Sequence, residues 1–92
     1  MKVNELQDKG KVDEIELEII EKEEIKEIRS GLKLCNLKGK DDTGEVTVTL
    51  WNDDTEKVNK GDKIVIRSGW SQSYQGNMQV SPGKFGELEV KN

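Results

Sequence analysis

A chain of 92 residues supports one small domain, residues 1–92, with a single core and one main site. Alanine is absent and Val plus Ile supply 15 of the 29 hydrophobic residues. That balance excludes a mainly helical domain, because β-branched side chains suit a pleated surface and alanine is the strongest helix former. Histidine is also absent and Cys35 stands alone, so a zinc-ligand cluster, an intrachain disulfide and histidine-assisted nucleophiles are excluded; no metal and no cofactor is expected.

The formal net charge of −4 is unevenly spread: residues 1–28 carry ten acidic and five basic side chains, and residues 29–92 carry nine and ten. The negative excess is therefore confined to the first strand region, leaving the rest of the chain open to a polyanionic partner. Charged residues make up 37% of the chain and no apolar run approaches membrane length, so no membrane partner is expected. Met1–Gly10 is polar and unlike a secretory signal, which gives the expectation of a cytoplasmic protein.

Val3 and Leu6, three apart in the polar stretch 1–10, predict one helical turn covering an end of the domain. From Val12, the residues Ile15, Leu17 and Ile19 alternate with Glu14, Glu16 and Glu18, which predicts a first strand with an acidic outer face. Ile19-Ile20 breaks the alternation, as a bulge does, and the inward phase resumes with Ile25 and Ile28 before a turn at Arg29-Ser30-Gly31. A second strand, Leu32–Lys40, turns Cys35, Leu37 and Gly39 inward and Asn36, Lys38 and Lys40 outward, with Leu32 and Leu34 unassigned. Asp41-Asp42-Thr43-Gly44 is strong turn chemistry, joining this strand to a third, Glu45–Trp51, as a hairpin. Asn52-Asp53-Asp54 caps at most one short helical turn through Val58, and Lys60-Gly61-Asp62 turns the chain into a fourth strand, Lys63–Arg67. A loop, Ser68–Gly76, leads to a fifth strand, Asn77–Pro82. Gly83–Gly86 then turns into a final extended piece, Glu87–Val90.

Four aromatic residues occur: Trp51, Trp70, Tyr74 and Phe85. Val46, Val48 and Leu50 share the core side of the third strand, so alternation alone turns Trp51 outward with Thr47 and Thr49. Trp70 and Tyr74 lie four apart in a polar, glycine-bounded stretch with no apolar partner for either ring. Exposed rings among Ser, Thr, Gln and Gly suit stacking on bases, whereas Phe85 is read as a packing residue at one end of the domain. Arg29, Lys33, Lys38, Lys40, Arg67 and Lys84 are the candidate phosphate contacts. Thr47, Thr49, Gln72, Gln75, Asn77 and Gln79 are the candidates for hydrogen bonds to base edges. The adjacent acids Asp41 and Asp42 are explained by the turn, so no catalytic residue is assigned and no enzymatic activity is expected.

Asp41-Asp42-Thr43-Gly44-Glu45, followed by Val46–Leu50 and Trp51-Asn52, resembles the central signature of archaeal replication protein A and single-stranded DNA-binding OB domains. Lys60-Gly61-Asp62, Gly69-Trp70, Tyr74-Gln75-Gly76 and Gln79-Val80-Ser81 continue the resemblance in order over nearly the whole chain. It implies an all-β, five-stranded Greek-key OB-fold barrel. Ligand would cross the outer face of the second and third strands, between the loops joining strands one to two and four to five. By motif position, Trp51, Trp70 and Tyr74 match that family's base-stacking aromatics. The implied function is non-catalytic binding of single-stranded DNA with little sequence specificity, in replication, repair or recombination. The implied partners include further OB domains or replication and repair proteins, since such domains often occur in series. Two alternatives stand beside it: a protein-interaction OB subunit, which the net acidity favours, and an RNA-binding OB domain.

Overall fold

The alternation in the chain closes into a barrel in the computed structural model, which describes residues 1–91 apart from the side chains of residues 83–85. A 3-10 turn (Val3–Glu5) precedes β1 (Gly10–Lys22), β2 (Lys26–Arg29), β3 (Leu32–Asp41), β4 (Gly44–Trp51), the short helix α1 (Asp54–Lys57), β5 (Lys63–Tyr74) and β6 (Asn77–Lys91). Five strands run in the order β1-β5-β6-β4-β3, and a β1–β3 pairing closes the ring; β2 is attached outside it, on β3. The pairings are antiparallel except β4–β6, which is parallel, and together they form the Greek-key barrel of the OB-fold. The expected strands one to five correspond to β1, β3, β4, β5 and β6.

Ile15, Leu17 and Ile19 of β1 are buried, as alternation requires, and with Val12, buried out of that phase, they meet Leu37, Val48, Leu50, Ile64, Ile66 and Val80 in one core. The bulge falls where the pattern breaks: Ile19 pairs with Gly39 and Glu21 with Lys38, leaving Ile20 as the extra residue. Gly39 belongs to the core-facing side of β3, and an added Cβ would sit 3.2 Å from Leu17 Cβ and 3.3 Å from Val48 Cγ2. Cys35 is buried and free, and burial pushes its thiol up from the ordinary range. Thiol reagents should accordingly label native Cys35 far more slowly than unfolded Cys35, and equal rates by timed mass spectrometry would contradict its core placement.

The acidic outer face of β1 is neutralised strand by strand. Glu14 meets Arg67 at 3.0 Å, Glu16 meets Lys91 at 3.2 Å and Glu18 meets Lys40 at 3.8 Å. Val65 pairs with Glu16 and Glu89, on this outer face, and is nevertheless buried beneath the charged side chains, which is why Ile64-Val65-Ile66 breaks the alternation of burial.

Four expectations need correction. Ile25 and Ile28 do not rejoin the core but are 38% and 51% exposed, because the chain leaves the barrel after the bulge and β2 packs only edgewise on β3. Residues 68–76 are not a loop: β5 runs on to Tyr74 and pairs with β6 from Gly69↔Pro82 to Tyr74↔Asn77. Gln75 (φ 51°) and Gly76 (φ 82°) supply the two left-handed residues that a two-residue type I′ hairpin turn demands. The fifth strand and the final extended piece are one strand, β6, whose register with β5 jumps opposite Ser68, between Arg67↔Glu87 and Gly69↔Pro82. At α1, Asp53 makes no side-chain cap; Asn52 Oδ1 instead accepts from the Lys33 backbone N–H at 3.3 Å, and Thr55 Oγ1 donates to the Asn52 carbonyl at 2.6 Å. The packing role expected of Phe85 lies outside the described residues.

The N-terminal turn is held by the β3–β4 turn. Asp41 accepts from Thr43 N at 2.7 Å, Thr43 Oγ1 at 2.6 Å, Gly44 N at 3.2 Å and Val3 N at 2.8 Å. Burial alone would raise this carboxyl, but the hydrogen bonds from Thr43, Val3 and Gly44 together outweigh it and hold Asp41 below its ordinary value. A group with a depressed folded-state pKa contributes stability that is present above its unfolded value, near 3.8, and is lost as pH falls through the folded value. Acid unfolding followed by circular dichroism should therefore lose part of its pH dependence below about pH 4 in Asp41→Asn. An unchanged acid limb would contradict this role for the turn.

Candidate functional site

Strand register assembles one continuous outward surface, because directly paired residues share a face. On β3 and β4 the pairs are Leu34↔Trp51, Asn36↔Thr49 and Lys38↔Thr47. Thr47 pairs in turn with Gln79 of β6, and Gln79 with Gln72 of β5. The same face of the hairpin carries Trp70↔Ser81 and Tyr74↔Asn77. Because β4 and β6 are parallel, Trp70 lies toward the Trp51 end of this surface and Tyr74 toward the opposite end. Each ring is four residues from its reference on the same strand, Trp51 from Thr47 and Trp70 from Tyr74, a span of about 13 Å.

All three rings are open to solvent: Trp51 is 40% exposed, Trp70 41% and Tyr74 59%. A groove of about 520 Å³ lies across the middle of the face. Asn36, Leu37, Lys38 and Thr47 form its floor; Glu21 and Glu23 form one wall, and Tyr74, Gln75, Asn77 and Gln79 the other. The groove thus takes in Tyr74, whereas Trp51 and Trp70 stand outside its lining. Among the proposed base-edge contacts, Thr47, Gln75, Asn77 and Gln79 line it. Gln72 is exposed beside Gln79, and Thr49 is half-buried and donates to Asn36 Oδ1 at 3.2 Å.

The hairpin wall is fixed in place by the N-terminal segment. Asp8 Oδ1 accepts from Ser73 N at 2.8 Å, and the buried Ser71 hydroxyl donates to the Gln7 carbonyl at 2.7 Å. Gly69, at the hairpin's root, lies so close to its neighbours that a Cβ there would come within 2.6 Å of the Ser81 carbonyl oxygen and 2.8 Å of Ile66 Cγ2. The Gly69-Trp70 pair is therefore a packing requirement followed by an exposed ring.

The six candidate phosphate contacts are dispersed. Lys38 lies in the groove floor, and Arg29 is exposed at the end of β2; neither forms an ion pair among the described residues. Lys33 is paired with Glu56 at 3.3 Å and Lys40 with Glu18 at 3.8 Å. Arg67 is held on the β1–β5–β6 side by Glu14 at 3.0 Å and Glu89 at 3.6 Å, and the Glu14 hydrogen bond raises its pKa. The side chain of Lys84 is not among those described. Sequence reasoning missed Glu21 and Glu23, although the signal was available: a bulge at Ile19-Ile20 inverts the phase, so odd-numbered glutamates replace even-numbered ones on the outer face.

A family model described as OB-fold nucleic acid binding domain matches residues 9–91. No curated protein matches the chain. Among solved structures, the whole chain aligns with 72% of a hypothetical protein from Arabidopsis thaliana, at TM-score 0.81 and 17% identity. It aligns equally fully with 24% of a chain from a replication protein A heterotrimer bound to ssDNA, at TM-score 0.72 and 17% identity. It also aligns in full with 89% of the second OB-fold domain of replication protein A from Methanococcus maripaludis, at TM-score 0.67 and 28% identity. The first two likenesses carry the fold alone.

Proposed function

We propose that this chain, which belongs to the OB-fold nucleic acid binding domain family, binds single-stranded DNA without catalysis, stacking bases on Trp51, Trp70 and Tyr74. The observation that carries the reading is the exposure of three aromatic rings on one outward sheet surface whose other residues, Leu34 apart, are polar. Every base offers a π-face, so stacking favours unpaired strands and discriminates little among sequences. The likeness to the second OB-fold domain of replication protein A from Methanococcus maripaludis, at 28% identity, supports a replication, repair or recombination setting.

The charges set the balance of forces. Glu21 and Glu23 make the groove unfavourable for phosphates along one wall, and only Lys38 stands in its floor. Phosphates then run along the Lys38 and Arg29 side, and affinity rests on stacking more than on counterion release. With two of the candidate cations outside any ion pair among the described residues, at roughly −0.7 each, log K against log salt should have a slope between about −1 and −3. A slope of about −5 or steeper would show that cations beyond Lys38 and Arg29 also engage phosphates.

Tryptophan fluorescence titration at low salt tests the reading. A thymidine oligomer should quench saturably and more tightly than duplex DNA, and a matched RNA oligomer measures the preference between the two chemistries. Absence of saturable quenching by any single strand would overturn the proposal and leave the protein-interaction reading.

A further inference from the structure

The sheet ends at β2, which pairs on one side with β3 and on the other with nothing among the described residues. Such an edge presents unmatched N–H and C=O groups, and proteins usually guard it with charges. Here Ile25 and Ile28 stand exposed beside it, at 38% and 51%. The order of the charges is also unusual. Laid antiparallel against itself about a two-fold axis between Lys26 and Glu27, the segment Glu24-Ile25-Lys26-Glu27-Ile28-Arg29 is complementary at every position.

In that register Lys26 faces Glu27, Ile25 faces Ile28 and Glu24 faces Arg29, each pair occurring twice. Directly opposite residues share a face, so the isoleucines cover each other while opposite charges meet. A slip of one residue destroys the match: it sets Glu27 against Glu27 or Lys26 against Lys26, and places each isoleucine against a charge. A purely protective edge has no need of such ordering.

We propose that β2 is a self-association strand, pairing antiparallel with β2 of a second copy of this chain in the register that sets Lys26 opposite Glu27. β2 has only four residues and an irregularity between Glu27 and Arg29, so the contact is small beside a stable dimer interface of roughly 1,200 Å² or more. The dimer is consequently weak and concentration-dependent, with the side-chain pairs fixing its register.

Sedimentation velocity from about 10 μM to about 1 mM tests it. The unmodified chain should pass from monomer to dimer within that range. Lys26→Glu places two like-charged pairs in the interface and should weaken association about tenfold or more. Adding Glu27→Lys to it exchanges the charges within each copy, restores every pair and should recover the parent affinity to within about threefold. Lys26 and Glu27 are exposed, so thermal unfolding of both variants should match the parent, which separates lost association from lost fold. A chain that stays monomeric over the whole range, a single variant that associates like the parent, or a double variant as weak as the single one would each overturn the proposal.

Discussion

Gly69→Ala should cost the domain about 3 kcal/mol of stability, at the upper end of what overpacking does. The added methyl meets the Ser81 backbone oxygen at 2.6 Å and Ile66 Cγ2 at 2.8 Å, closer than a Cβ tolerates, and neither neighbour is the free end of a long side chain. Relief requires the β5–β6 ladder to open where Gly69 pairs with Pro82, which is the root of the hairpin carrying Trp70 and Tyr74. DNA binding should therefore weaken along with stability. Gly44→Ala is the matched control, since its nearest neighbour is Val3 Cγ1 at 3.6 Å, and it should stay within about 0.5 kcal/mol of the parent. Urea unfolding midpoints measure both, and equal midpoints for the two variants would refute the packing account of Gly69.

Trp51→Ala should weaken binding of a thymidine oligomer by about 1–3 kcal/mol, the range for removal of one stacking ring. The same substitution should change stability little, because the indole stands on the outer face, off the core formed by Val46, Val48 and Leu50. Loss of binding without loss of fold is what distinguishes a landing surface from a packing residue. Lys38→Ala offers the contrast: it should flatten the salt slope by about 0.7 while leaving high-salt affinity nearly intact. Calorimetric titration at two salt concentrations separates the two effects. A Trp51→Ala variant that binds as tightly as the parent would remove this ring from the site.

Local pattern gave most of the barrel. Period-two alternation located β1, β3 and β4 and turned Trp51 outward, because each inward residue of those strands meets a single shared core. The Asp41 turn was equally legible, its side chain satisfying three donors on Thr43 and Gly44, whereas the fourth, Val3 N, comes from the far N-terminal turn. What escaped was decided by partners distant in sequence. The polar run Ser71–Ser73 becomes strand because Asp8, Gln7 and β6 supply its hydrogen bonds, and nothing within the run announces them. Gln75-Gly76 was the available hint, a turn dipeptide with glutamine in place of the usual asparagine. Ile25 and Ile28 were misassigned for a related reason, since hydrophobicity does not reveal whether a strand joins the ring or lies outside it.

The same distinction applies to charge. Counting along the chain suggested an acidic first strand and a set of free cations, whereas the fold cancels Glu14, Glu16 and Glu18 against Arg67, Lys91 and Lys40. Those cations are thereby occupied, and the glutamates that matter to the groove are Glu21 and Glu23, brought there by one extra residue in β1.

Amide and indole NMR shifts during titration with a thymidine oligomer locate the binding face on the barrel. Perturbations should cluster at Asn36, Lys38, Thr47, Thr49 and Gln79, together with the indole N–H signals of Trp51 and Trp70. Perturbations confined to the Glu14–Glu16 face of β1 or to β2, with both indole signals unmoved at saturation, would contradict that placement.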